Sequence, residues 1–196
     1  MSMRAVRAWI EAGTAADPAP AVSRERLLRL VPGAKAAIVA GLAGRFDAVA
    51  GDHDVATPLR VCHFLAQAAH ETDGFRTLEE YGGPAYFARY EGRRDLGNSE
   101  AGDGARYHGR GIFQLTGRSN YRRFGQIIGI DLEARPERAK EPETSLMVAF
   151  AYWRERACNA AADRDDIAGV TRLINGGRNG LAERTRYLAK AKEIWL

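Results

Sequence analysis

The sequence predicts a mainly α-helical protein interrupted by one long irregular stretch. Three observations carry that reading. Apolar residues recur at three-and-four spacing in several segments, as one buried helix face requires. Those segments begin at capping residues and end at glycine or proline. Between Gly74 and Tyr107 the periodicity fades, and a long unpatterned loop in a compact domain is usually functional.

Residues 1–22 read as an N-terminal extension. Met3, Val6, Trp9 and Ile10 make a short apolar stripe, and Ala15-Ala16-Asp17-Pro18-Ala19-Pro20 reads as an extended linker. The expected domain covers 23–196. Ser23 caps a short helix carrying Leu27, Leu28, Leu30 and Val31, which Pro32-Gly33 breaks. A longer helix is expected from about 34 to 50, with Ile38, Leu42, Phe46 and Val49 at helical spacing.

The third helix, 57–73, has Thr57 as its cap and Pro58 at the first helical position. Leu59, Cys62, Leu65, Ala66 and Ala69 form its buried face, and Gly74 supplies the stop. Glu71 falls in its last turn, where the negative end of the helix dipole disfavours a second negative charge, as suits a proton donor. A solvated glutamate is the commoner fate of a single Glu at a helix end. Gly82-Gly83-Pro84 breaks the chain beyond, Tyr86 to Glu91 is short and aromatic, and 97–104 is rich in turns. Short strands are expected around 107–116, then helices at about 119–129, 143–156, 165–174 and 181–194.

The 196 residues carry a net charge of +4. That favours anionic partners slightly, a cell-wall polymer or membrane surface before nucleic acid, because the arginines are scattered and no aromatic-basic motif occurs. Cys62 and Cys158 read as free, buried thiols. Arg4, Arg7 and Glu11 interrupt the N-terminal apolar residues, so neither a signal peptide nor a stable membrane insertion is expected, and the expected compartment is the cytoplasm. A monomer without cofactor is expected.

Several chemistries are excluded. His70-Glu71 lacks the second histidine of a zinc helix, and neither a dinucleotide nor a phosphate loop is complete. His53, His63, His70 and His108 read as structural or surface side chains. Two carboxylates remain the best chemistry, because a glycosidase needs an acid and a second group acting on the other face of the sugar. Glu71 can be the first. Glu79, Glu80, Glu91, Asp95, Glu100 and Asp103 are open as the second, and spacing does not choose among them.

The stretches Ala69-His70-Glu71-Thr72-Asp73-Gly74-Phe75, Gly109-Arg110-Gly111-Ile112-Phe113-Gln114-Leu115-Thr116-Gly117 with Asn120-Tyr121, and Leu173-Ile174-Asn175-Gly176-Gly177 resemble, in this order, the family 19 glycoside hydrolases. That family includes plant-type chitinases and phage endolysins. Tyr90 to Asn98 resembles the endolysin type more. The resemblance implies a lysozyme-like, two-lobed helical domain with a central cleft. It implies inverting hydrolysis, with Glu71 as general acid and Glu91 as general base; Glu80 is the alternative base.

Tyr107, Gln114, Thr116, Asn120, Asn175 and Arg184 are then the expected substrate-site residues, with Arg184 matching an arginine that supports the acid from behind. Arg110 reads equally as a clamp on a carboxylate, and Gly176-Gly177 as a helix end. Peptidoglycan is the expected polymer and chitin the alternative, with holin-dependent release and cell lysis implied for an endolysin. A non-catalytic wall- or chitin-binding module is the reading of another class. Two departures stand out: Asn179 occupies a place where plant members carry Glu, and the plant disulfides are missing.

Overall fold

The computed structural model describes residues 19–196. The stripe expected within residues 1–18 lies outside the described residues. Residues 19–22 are tied to the body: the Ala19 N–H donates to the Ala56 carbonyl at 2.8 Å, the Val22 N–H donates to Asp47, and Val22 is buried.

Eleven α-helices follow among the described residues: α1 (Arg24–Leu30), α2 (Ala36–Ala43), α3 (Phe46–Asp52), α4 (Pro58–Glu71), α5 (Pro84–Phe87), α6 (Asp103–Arg106), α7 (Arg118–Ile128), α8 (Pro142–Glu155), α9 (Cys158–Ala162), α10 (Ile167–Asn175) and α11 (Leu181–Trp195). Single 3-10 turns lie at Ala88–Tyr90, Arg94–Leu96 and Pro136–Lys140. The mainly helical class holds.

Two expected helices differ, one split and one shortened. The 34–50 segment breaks at Gly44-Arg45 into α2 and α3, and Arg45, at the start of α3, pairs with Glu143 of α8 at 2.8 Å. The 165–174 segment begins late because Asp166 caps α10, its carboxylate accepting from the Gly169 N–H at 2.7 Å. The strands expected at 107–116 do not form. Only isolated bridges pair Arg110 with Glu79 and with Leu115.

Helix α4 is the axis of the molecule. Its expected caps are in place, with the Arg60 N–H reaching Thr57 Oγ1 at 3.4 Å and Pro58 at the first turn. It is buried all round from Val61 to Ala69, however, rather than on one face. Apolar Val61, Phe64 and Ala68 extend the buried surface sideways from the expected face, and the two polar residues among the buried set, His63 and Gln67, bond Asp165 and Thr171.

Helix α11 packs along α4, and Phe64 stacks on Phe150 of α8 at 4.3 Å, with Phe46, Phe113 and Trp153 edge-on around it. A second, smaller core gathers Tyr107, Leu115, Tyr121, Phe124, Leu132 and Val148 around α7. Phe113 and Tyr152, 5.8 Å apart, lie where the two cores meet. Both cysteines are free and buried, and burial pushes each thiol up to about 12. No helix among the described residues is long and apolar enough to cross a membrane.

Candidate active site

The chain reverses tightly after Glu71. Asp73, Gly74 and Phe75 all take left-handed backbone conformations, two of them against side-chain preference. Buried Thr72 holds the reversal: its hydroxyl donates to the Ala68 carbonyl at 2.7 Å and accepts from the Phe75 N–H at 2.9 Å. Phe75 is driven fully into the core, which offsets the strain. Glu71 is thereby left at the helix end with its side chain 20% exposed.

Arg184 of α11 meets Glu71 from inside. One guanidinium nitrogen donates to Glu71 Oε1, another to Gln67 Oε1, and Nε donates to the Asn179 carbonyl at 3.2 Å. Gln67 passes the chain on to Thr171 at 3.2 Å. Arg184 is 1% exposed. It therefore backs Glu71 from the buried side and is not exposed as a sugar contact would be. Asn179 contributes its backbone carbonyl, so this network carries no glutamate at that position.

The second carboxylate position is decided by the pairing of residues 79–80 with 109–111. The Glu80 N–H donates to the Gly109 carbonyl at 2.9 Å, and the Gly109 N–H donates to Glu80 Oε2 at 3.1 Å. A Cβ on Gly109 would lie 2.7 Å from Gln114 Oε1 and 3.1 Å from Glu80 Oε2, so these two side chains converge where glycine leaves room. Glu80 Oε1 accepts from Arg89 and, at 2.9 Å, from the Tyr90 hydroxyl.

Glu79 turns away to His108, Arg110 and Lys140. Burial pushes its carboxyl up, but the Lys140 and His108 bonds outweigh that and hold it below the usual range. Arg110 is thus a carboxylate clamp. Its guanidinium also donates to the Tyr121 hydroxyl at 3.0 Å.

Glu91 has both oxygens on backbone amides, Gly102 at 2.7 Å and Gly104 at 2.8 Å. It fastens the start of α6. Asp95 pairs with Arg93, and Arg118 pairs with both Glu100 and buried Asp103. Asn98 ties this segment to Tyr90 and Arg118, so the irregular stretch is a cross-linked structure.

A groove of about 450 Å³ is lined by Gln114, Thr116 and Asn120 with Leu96, Phe113, Phe124, Tyr152, Arg123, Glu155 and Arg156; neither Glu71 nor Glu80 lines it directly. Gln114 sits at a positive φ of 51° and donates to the Gly111 carbonyl; Thr116 donates to Gln114, and Asn120 to Thr116. This donor chain points the three side chains as a set.

Gln114 joins the groove to Glu80. Tyr152 lines the same groove, and its hydroxyl donates to the Ile174 carbonyl at 3.0 Å; burial pushes its phenol up, with Arg156 opposing. Asn175 lies one residue on, but its amide is engaged within its own turn by the Gly177 N–H and the Asn179 carbonyl. Gly176 forms the helix end at a φ of 76°.

Tyr107 is a correction. Only 1% exposed, it donates to the Glu133 carbonyl at 3.0 Å and packs on Tyr121, so it belongs to the smaller core and meets no sugar. The histidines are structural: His63 bonds Asp165, His70 bonds Glu183, His108 stacks on Phe87, and His53 stacks on Phe150. Among the described residues no three ligating side chains gather as a metal site.

Four residues around the site carry no role in the sequence-based expectations. Gln67 stands one helical turn before Glu71, a spacing that marks it as a neighbour. Arg89, Tyr90 and Tyr152 carry no such local signal.

The sequence model of the family described as chitinase class I matches residues 34–179. A glycosyl hydrolase family 19 domain-containing protein of Haemophilus influenzae is 32% identical over 151 residues, covering 63% of this chain and 74% of that protein. Acidic endochitinase Q of Nicotiana tabacum is 29% identical over 145 residues, covering 63% of this chain and 53% of its own length. The chain thus spans about half the length of this plant relative.

Chitinase C from Streptomyces griseus superposes with a TM-score of 0.72 at 21% identity, covering 93% of this chain and 94% of that one. A class IV chitinase from Zea mays does so at 0.56 and 19%, covering 95% and 88%. At such identities the likeness speaks for the fold. With the family model running from α2 through the Glu71 turn and the Gln114 groove to Asn179, the chain belongs to the family 19 glycoside hydrolases.

Proposed function

We propose that this hydrolase is an inverting glycosidase that cuts β-1,4 bonds in a polymer containing N-acetylglucosamine, with Glu71 as general acid and Glu80 as general base. One observation carries the choice of base: Glu80 converges with Gln114 at Gly109, beside the groove, whereas both oxygens of Glu91 are spent on Gly102 and Gly104. Glu71 protonates the leaving oxygen as the bond to the anomeric carbon breaks. Glu80 takes a proton from a water whose oxygen forms the new bond to that carbon from the opposite face. Gln114, Thr116 and Asn120 offer the paired donors and acceptors that N-acetyl and hydroxyl groups need. Arg184 orients the acid and touches no substrate.

Peptidoglycan is the polymer we put first. The endolysin-like stretch from Tyr90 to Asn98 and the net charge of +4 support it. An endolysin held in the cytoplasm would reach the wall through a holin-type partner. Chitin is the second reading, supported by the endochitinase names of the plant relatives and by the uncharged Gln114, Thr116 and Asn120 in the groove.

The test compares purified sacculi with chitin oligomers, with mass spectrometry of the new ends and NMR of the first-formed anomer. Glu71→Gln and Glu80→Gln should each lower kcat roughly 10²–10⁴-fold. Glu91→Gln should stay within a few-fold and lose stability instead. If Glu91→Gln loses turnover while Glu80→Gln keeps it, the base returns to Glu91. Binding without turnover by the unaltered chain would favour the non-catalytic module, and cutting of chitin alone would remove peptidoglycan.

A further inference from the structure

The segment that follows Gly82-Gly83 does nothing in the two-carboxylate scheme, yet it closes on Glu80. Phe87 is buried and lies parallel to the His108 ring at 4.0 Å, which seats the segment beside Gly109. Glycine at 82 lets the Tyr86 ring fold back, since a Cβ there would lie 2.5 Å from Tyr86 Cδ1. The Arg89 guanidinium is then sandwiched, 3.7 Å from the Tyr86 ring centre and 4.7 Å from that of Tyr90. From that slot Arg89 donates to Glu80 Oε1 and, at 2.7 Å, to the Tyr90 hydroxyl. The Tyr90 hydroxyl donates to the same Glu80 oxygen at 2.9 Å, and Asn98 anchors the Tyr90 carbonyl at 2.9 Å.

Counting lone pairs gives this arrangement a direction. A carboxylate oxygen accepts about two hydrogen bonds. Oε1 of Glu80 already holds two, from Arg89 and Tyr90. Oε2 holds one, from the Gly109 N–H, so it has an acceptor position left, and Gln114 Oε1 lies close to the same face of Gly109.

We infer that Arg89 and Tyr90 are positioning residues that grip Glu80 by Oε1, so that Oε2 is the oxygen that receives the proton from the attacking water. This rests on Glu80 being the base. The tyrosines matter because a planar guanidinium packed against two rings keeps its donors aimed, whereas a free arginine would sample many rotamers. Arg89 touches neither substrate nor water in this scheme. It acts only through Glu80.

The experiment measures kcat and KM on N-acetylglucosamine oligomers for Arg89→Gln, Arg89→Lys, Tyr90→Phe, Glu80→Gln and the Arg89→Gln/Glu80→Gln double variant. Circular dichroism establishes that each is folded, which the half-exposed position of Arg89 favours. Arg89→Gln should lower kcat on the order of 10–100-fold, the scale of misplacing a reacting group, with KM within about twofold. Arg89→Lys, which keeps a charged donor, should recover part of that loss, and Tyr90→Phe should fall between. The double variant should be no slower than Glu80→Gln alone, because the grip has nothing left to hold.

A kcat for Arg89→Gln within twofold of the unaltered chain, or an additive double variant, overturns the inference while Glu80→Gln remains inactive. An active Glu80→Gln instead removes the base assignment beneath it, so the two failures read differently.

Discussion

Arg184 shows how much one buried charge is asked to do. A guanidinium removed from water is costly unless its donors are met, and here Glu71, Gln67 and the Asn179 carbonyl meet them. Replacing it leaves a half-buried carboxylate and an unpaired amide. Arg184→Gln should therefore cost about 3 kcal/mol in chemical denaturation, the lower end for breaking a buried pair. Arg184→Lys should recover little, because an ammonium cannot span three acceptors with the geometry of a planar fork. Full stability in either variant would mean that this pair neither holds the fold nor aims the acid. Four-residue spacing makes Gln67 and Glu71 neighbours on α4. It does not give Arg184 its contacts to these two, which are made across more than a hundred residues of chain.

Helix propensity and packing disagree at Gly41. Alanine is the better helix former by about 1 kcal/mol. Yet a Cβ at this position would lie 2.5 Å from Pro142 Cβ, where α2 meets the start of α8. Neither side is a flexible chain end that can move aside. Gly41→Ala should accordingly destabilise by about 1–3 kcal/mol, as overpacking does, in the opposite sense to propensity. A higher unfolding midpoint would show that the two helices separate readily.

The same competition explains the break between α2 and α3. Ile38, Leu42, Phe46 and Val49 keep helical spacing through it, so periodicity predicts one helix. The chain turns at Gly44-Arg45 instead, and Phe46 swings into the aromatic cluster beside Phe64 and Phe150. Caps were legible because a cap is a contact across three residues. The break was not, because its cause lies on α8.

The whole molecule should lose stability on acidification. His63 is fully buried on α4 and faces Asp165, with Lys192 and Asp166 near. Burial is the largest influence on it and pushes it below the ordinary histidine value of 6.5, with Asp165 opposing. The unfolded chain takes up this proton more readily than the folded one, so stability falls as pH drops from about 7 toward 5. Carboxylates add to this at lower pH. Burial pushes Asp103 and Asp165 up, but Arg118 for the first, and Lys192 with His63 for the second, outweigh it and hold both low. Their stabilisation is present above the ordinary aspartate value and is lost as pH falls through the lowered one. The melting midpoint should thus decline in two stages on acidification. A His63→Gln chain, which cannot accept that proton, should flatten the upper stage; an unchanged upper stage would clear His63 of the effect.

The amino-acid sequence by itself determined the features that depend on near neighbours. These are the mainly helical class, the capped helix that ends at Glu71, the glycine turns, the free buried cysteines, and the ordered motifs that mark the family. Periodicity, capping and turn chemistry act over a few residues, so they are written locally. Only the tertiary structure decided the rest. It put Tyr107 inside a core, gave Glu91 to a loop, tied Arg184 to Gln67 and Glu71, and brought Glu80 to Gln114 across thirty-four positions of chain. Each of those outcomes is a choice of partner between residues far apart in sequence, made by burial and hydrogen-bond satisfaction once the helices have packed.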